Sequence, residues 1–219
     1  MPRLLSLFDG TGAISRPFID SGIWDVDRLD TDGKFGANII CDVREWDYTK
    51  EKPYDIIFAG VPCEQYSICR TRAKSPRNYK LADSILECTI NIIRHNIREN
   101  DKCQWFVENP ATSHIWRRRQ AEYFTNKVTL DFCQYGTPYR KRTTLATNTD
   151  FKPRPLCDPK YCPACPNGKS HDKSAQRGPC KGKSYKLDRC SLDELHAYPT
   201  DLCKDIYKYV SKELVWEIV

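Results

Sequence analysis

Apolar positions follow two rhythms over the first 150 residues. Short runs rich in β-branched residues and bounded by Gly, Pro, Asp or Asn read as strands. They are RLLSLFD from Arg3, VDRLDT from Val26, NIICDV from Asn38, YDIIFAG from Tyr54, WFVEN from Trp105, VTLDFCQY from Val128 and TTLATN from Thr143. The stretch LADSILECTINIIRHNI repeats apolar residues at Leu81, Ile85, Cys88 and Ile92, and again at Leu86, Ile90, Ile93 and Ile97. That spacing predicts a well-buried helix. Strands alternating with helical stretches imply an α/β fold with a doubly wound, mostly parallel sheet. Both rhythms stop at Phe151. Residues 151–189 are dominated by Pro, Gly, Lys and Cys, cannot build a core of their own, and need a staple or a partner. Helical spacing resumes over residues 191–219, which are expected to pack back on the sheet. The chain thus divides into a main domain (1–150), a small irregular Cys/Lys-rich insert (151–190) and a closing helix (191–219). There is no internal repeat.

At 219 residues the chain is long enough for one full domain with a small appendage. No apolar run approaches a membrane span, and MPRLLSLFDG holds too short an apolar stretch for a signal peptide. An intracellular, reducing setting (cytoplasm or nucleus) is therefore expected. There the twelve cysteines serve as core residues, metal ligands or catalytic thiols rather than disulfides. Charge adds a second clue. The interval Phe151–Cys190 carries ten Lys or Arg against three Asp, a local +7, which leaves −1 on the rest of a chain whose net charge is +6. A second run, RTRAKSPRNYK (Arg70–Lys80), has five cations and no acid. Two clustered basic stretches point to a polyanion, most simply nucleic acid; the plain alternative is solvated loops.

Candidate chemistry gathers where strands end, the edge at which open α/β sheets bind ligands. Cys63 lies in FAGVPCEQYS just past the fourth strand, and by position alone it is a nucleophile, a metal ligand or a small buried filler. The first strand runs into Gly10-Thr11-Gly12 and a helix start, a turn that lets backbone approach a ligand closely. About twenty residues on, Asp30 or Asp32 is available to a ribose hydroxyl pair, and Asp42 to an adenine amino group. These strand ends favour a nucleoside-containing cofactor. Glu108 and Asn109 follow the fifth strand, where Glu108 is either a general acid or a cap. Arg140, Lys141 and Arg142 precede the seventh strand and read as phosphate or base contacts that also support the acid, or as a solvated run. In the insert, Cys157, Cys162, Cys165 and His171 have four, two and five intervening residues, compatible with a tetrahedral zinc site that would supply the missing staple. Cys180 or Cys190 can replace one ligand, and ordinary free thiols are the competing reading.

The order LFDGTG, then PCEQYS, then ENP, then YGTPYRKR resembles the cytosine-5 DNA methyltransferase family, most of all the compact versions carried by phages and large DNA viruses. The resemblance covers roughly residues 3–148 and, more faintly, the final helix. It implies a Rossmann-like methyltransferase sheet, S-adenosylmethionine as methyl donor and DNA as partner, with structured RNA and an inactive cofactor-binding subunit as alternatives. It further implies that Phe8, Gly10, Thr11 and Gly12 form the first cofactor turn, with Asp30 on the ribose, Asp42 and Val43 on the adenine, and Pro62-Cys63 in the catalytic loop. Glu108 would hold the cytosine. In that chemistry a thiolate adds at carbon 6 and makes carbon 5 nucleophilic, while the acid stabilises the adduct at ring nitrogen 3. Several positions depart from the family pattern. Glu64 stands where a Gln is usual and Pro110 where a Val is usual. Arg140 and Arg142 lie one register off the expected arginine motif, and the glycine-asparagine signature before the last helix is missing. On the family pattern the insert carries target recognition.

Overall fold

The structure is a computed structural model; it describes residues 1–71, 73–171, 173–175 and 190–215. Seven strands form one sheet: β1 (Arg3–Leu7), β2 (Asp25–Asp30), β3 (Ile39–Ile40), β4 (Ile56–Gly60), β5 (Gln104–Pro110), β6 (Lys127–Asp131) and β7 (Arg142–Thr147). Their order is β3-β2-β1-β4-β5-β7-β6, parallel throughout except β7, which runs antiparallel to both neighbours. Strand order reverses between β1 and β4, so a crevice opens at the carboxyl ends of these two strands.

Side chains alternate across the sheet and feed two cores. Leu5, Leu7, Ile57, Ala59, Trp105 and Val107 face α2 (Tyr79–Glu99). Leu4, Ile56, Phe58 and Phe106 face α1 (Arg16–Ser21) and α4 (Thr200–Val215). Helices on both faces make the sheet doubly wound and Rossmann-like, as the alternation of apolar runs predicts. In α2, Leu86, Ile90 and Ile93 are fully packed, whereas Leu81, at the head of the other apolar row, is exposed. Asn78 starts this helix by accepting from the Leu81 amide at 3.0 Å.

The closing segment is two helices rather than one. A capping box of Ser191 and Glu194 opens α3 (Leu192–His196), and Ala197, Tyr198 and Pro199 separate it from α4. Pro199 restricts Tyr198 to extended backbone, so the chain cannot continue as a helix there. Its buried side chains Leu202, Cys203, Ile206 and Val210 seat α4 on the second core, joined by Phe151. Phe151 meets Phe106 and Tyr209 edge-on. No described helix is long and apolar enough to cross a membrane, and all eleven described cysteines are free.

Candidate active site

Every candidate strand-end residue lies at the same sheet edge. Phe8 follows β1 with φ 58°, and Gly10 and Gly12 also have positive φ, at 53° and 75°. This is backbone that L side chains rarely adopt, which explains the glycines. The turn is fixed by Asp9, a buried carboxylate that accepts from Ser6, Ser15 and Arg28. The Arg28 guanidinium also donates to the carbonyls of Phe35 and Gly36. It fills the space where a Cβ on Gly12 would project, so Gly12 makes room for Arg28, whereas only the Phe8 carbonyl approaches the same point on Gly10. Asp9 and Arg28 are not legible as site residues from sequence, because an acid and a base nineteen positions apart carry no spacing signal.

Asp30, at the end of β2, accepts from the Gly10 amide at 2.9 Å and from the Asp32 amide at 3.0 Å. Of the two sequence candidates, Asp30 therefore faces the turn, and Asp32 caps a short 3-10 helix instead. Each Asp30 oxygen keeps a lone pair for a further donor. Asp42 is gripped by Arg44 through both carboxylate oxygens, and this pairing holds it below the ordinary carboxylate range. Val43 beside it is buried. A half-buried Phe8, a bent turn with space over Gly10, and two ionised or backbone-anchored acids fit an adenosine-containing cofactor. Asp42 would have to serve the adenine while still bound to Arg44.

Across the crevice, Val61 is buried, Pro62 is exposed and Cys63 is half-buried. The amides of Tyr66 and Ser67 donate to the Cys63 carbonyl, which makes the Cys63 loop a tight turn. Burial pushes the Cys63 thiol up, the Glu108 carboxylate pushes it further, and the Lys141 ammonium pulls part of the way back. Glu108 itself belongs to β5, in register with Gly60, instead of lying past the strand end. It is 6% exposed and accepts from Thr143 Oγ1 at 3.2 Å and from Tyr198 Oη at 3.0 Å. Asn109 Nδ2 donates to the Val61 carbonyl at 2.7 Å and ties β5 to the turn that carries Cys63. Its Oδ1 is buried and has no protein partner among the described residues.

Support of the acid departs from the sequence expectation. Arg142 does not turn toward Glu108: its register partner is Asp131 on β6, and it donates to both carboxylate oxygens at 2.9 and 2.7 Å. Burial alone would raise the Asp131 carboxyl, but Arg142 and the Cys157 amide outweigh it and hold Asp131 below its ordinary value. Arg140 is exposed. The role expected of these arginines falls to Thr143 and Tyr198. Tyr198 has no motif signal, because an aromatic residue in a helical stretch reads as core. Its hydroxyl lies over Gly60, where any Cβ would collide with it, and its own ionisation is pushed far above the usual range by burial and by Glu108. Lys141 donates to the Leu195 carbonyl at 3.1 Å and lies over the Phe132 ring. The basic loop is tied to the Cys63 turn by Arg77, which donates to the carbonyls of Gln65 and Ser67. Arg72 lies outside the described residues.

Three of the four sequence-predicted metal ligands come together. Ligand atoms of Cys133, Cys157, Cys162 and His171 all lie within 4.8 Å of one another. Cys165 is not in this group: its thiol points to Asn167 Oδ1 at 3.8 Å. Cys133 stands with the other three instead, in the turn directly after β6, a stretch that apolar spacing alone assigns to the strand. Cys190 instead lines the second core, and Cys180 lies outside the described residues.

No protein-family model matches the chain, and no curated protein matches it in sequence. Among solved structures, S. pombe Dnmt2 methyltransferase matches with 15% identity over 74% of this chain and 55% of that one, at a TM-score of 0.48. Entamoeba histolytica methyltransferase EhMeth matches with 14% identity over 71% of this chain and 56% of that one, at a TM-score of 0.49. The chain thus spans a little over half the length of these two structures.

Proposed function

We propose that this protein is an S-adenosylmethionine-dependent methyltransferase acting on carbon 5 of cytosine in DNA. The observation that carries the reading is the pairing of Cys63 with Glu108 at neighbouring strand ends, close enough for the carboxylate to raise the thiol, beside the glycine turn. A nucleophile and an acid converging on one crevice are what addition to an aromatic ring requires. In this reading Phe8, Gly10, Thr11, Asp30, Asp42 and Val43 hold the cofactor, which when bound supplies an electrophilic methyl group.

The protein groups then divide the remaining work. Cys63 adds to carbon 6 of the extruded base and leaves again when the carbon 5 proton is lost. Glu108, steadied by Thr143 and Tyr198, faces the ring nitrogen 3 edge and, in its protonated form, gives that nitrogen the proton that neutralises the negative charge created by the addition; the proton returns to Glu108 when the ring is restored. Lys141 favours the thiolate. The target must leave its stack, at a cost of a few kcal/mol. We assign the offsetting stabilisation to phosphate binding by the Arg70–Lys80 loop and by the basic insert, whose Lys152, Lys160 and Lys169 are exposed.

The test is methyl transfer from labelled S-adenosylmethionine to duplex DNA and, in parallel, to structured RNA, with bisulfite sequencing to locate the mark. Methylcytosine in DNA supports the proposal. Label on RNA alone would move the substrate assignment to RNA, and no label on either would end the methyltransferase reading. Neutralising Lys152, Lys160 and Lys169 together should flatten the salt dependence of binding by about 0.9 log–log units for each phosphate that is no longer neutralised.

A further inference from the structure

We propose that Cys133, Cys157, Cys162 and His171 form a structural zinc centre that fastens the basic insert to the end of the catalytic sheet. Cys157 Sγ and Cys162 Sγ lie 3.5 and 3.6 Å from His171 Nε2. Sulfur and nitrogen ligands on a tetrahedral zinc, with ordinary bond lengths, are separated by about 3.6 Å. Two of the six edges of the coordination polyhedron therefore match, and all four ligand atoms lie within 4.8 Å of one another. Three thiolates and an imidazole are a soft donor set that suits zinc, and four protein ligands leave no open position for a substrate or water. The site is structural by that criterion.

Among the described residues a third core cluster is made of Cys133, Cys157, Cys162 and Cys165, with Ala164 against it. Around residues 157–165, four thiols and one methyl group bury little apolar surface for a stretch rich in Pro, Gly and Lys. A bound zinc supplies the cohesion that this composition lacks.

The surroundings form an outer shell. Three thiolates around a divalent ion leave a charge of −1, and the Arg142 guanidinium lies in the field of Cys133 and Cys157. Asp131 accepts from both Arg142 and the Cys157 amide, at 3.0 Å for the latter. The Cys165 amide donates to the Cys162 carbonyl at 2.9 Å, and the Gly168 amide to the Cys165 carbonyl at 2.9 Å. Cys165 therefore shapes the knuckle without ligating. Cys133 is the telling member, because it comes from the main domain, two residues after Asp131. The metal thus bridges β6 to the insert and braces the Asp131–Arg142 pair, one residue away from the Thr143 that holds Glu108.

Elemental analysis of the full-length chain, purified without chelator, should find about one zinc per molecule. Cys133→Ser should lose it and Cys165→Ser should keep it. Cobalt-loaded wild type and Cys165→Ser should both show the visible absorption of tetrahedral thiolate ligation, which does not depend on Cys133→Ser folding. Chelation of the wild type should open residues 157–171 to protease while residues 1–150 stay resistant. A wild type that takes up neither zinc nor tetrahedral cobalt overturns the proposal. So does a Cys165→Ser protein that loses metal while Cys133→Ser retains it, and a protease pattern unchanged by chelation refutes the fastening role.

Discussion

Gly60 and Tyr198 offer a steric test of how the acid is held. Gly60 ends β4, and a Cβ there would lie inside the 3.0 Å that side-chain carbons do not cross from the Tyr198 hydroxyl, yet 3.5 Å from Tyr198 Cζ. The hydroxyl alone is therefore the obstacle. Gly60→Ala must displace it, which overpacks the site and breaks the 3.0 Å bond to Glu108. Overpacking costs about 1–3 kcal/mol, and a buried acceptor stripped of its donor costs a similar amount, so we expect a loss of about 2–3 kcal/mol. For a chain of this size that lowers Tm by roughly 5–10 °C. Tyr198→Phe removes the same bond without the clash and should cost about 1–2 kcal/mol. The double substitution has room for the new methyl group, so its cost should match Tyr198→Phe alone. The coupling is then about −2 to −3 kcal/mol, which urea denaturation of the four proteins resolves. Additive losses would refute the placement of the hydroxyl over Gly60.

Three further outcomes follow from the site. Because Cys63 titrates above the ordinary 9.0, its thiol is protonated at neutral pH, and its alkylation by iodoacetamide should keep accelerating as pH rises past that value. Glu108→Gln removes a raising charge and should speed alkylation at neutral pH by about threefold for each unit the thiol falls, since lower basicity offsets part of the gain in thiolate. Lys141→Met should slow it; peptide-resolved mass spectrometry reads both, and opposite signs would break the Glu108–Cys63–Lys141 geometry. Asp42→Ala should weaken S-adenosylmethionine binding by roughly 2- to 12-fold, one hydrogen bond's worth, while Arg44→Ala leaves it equal or tighter; calorimetry decides. Asp131 sits below its ordinary 3.8, so the stability it contributes is complete above that value and is lost as pH falls through its folded value. Asp131→Asn should flatten that part of the acid-unfolding curve.

Much of this is legible in the sequence for physical reasons. Strand ends can be located because β-branched runs stop at Gly, Pro and Asp, and the sheet edge then gathers Gly10, Asp30, Cys63 and Glu108 without further information. What sequence spacing cannot convey is long-range pairing. Arg142 turns to Asp131 because antiparallel register sets them opposite one another, and Thr143 takes its place on Glu108. Tyr198 enters the site because Pro199 breaks a helix that periodicity alone would continue. Cys133 replaces Cys165 because ligand spacing within the insert cannot reveal a fourth member that belongs to the turn after β6.

The most direct test of the central claim is covalent trapping on duplex DNA that carries 5-fluorocytosine, with S-adenosylmethionine present. Fluorine at carbon 5 blocks the final elimination, so the nucleophile stays attached to carbon 6 of the base. We expect a denaturant-stable protein–DNA adduct whose modified peptide contains Cys63, and none with Cys63→Ala. Absence of an adduct in wild type that binds both ligands, or an adduct that persists in Cys63→Ala, would contradict the assignment of Cys63 as the nucleophile.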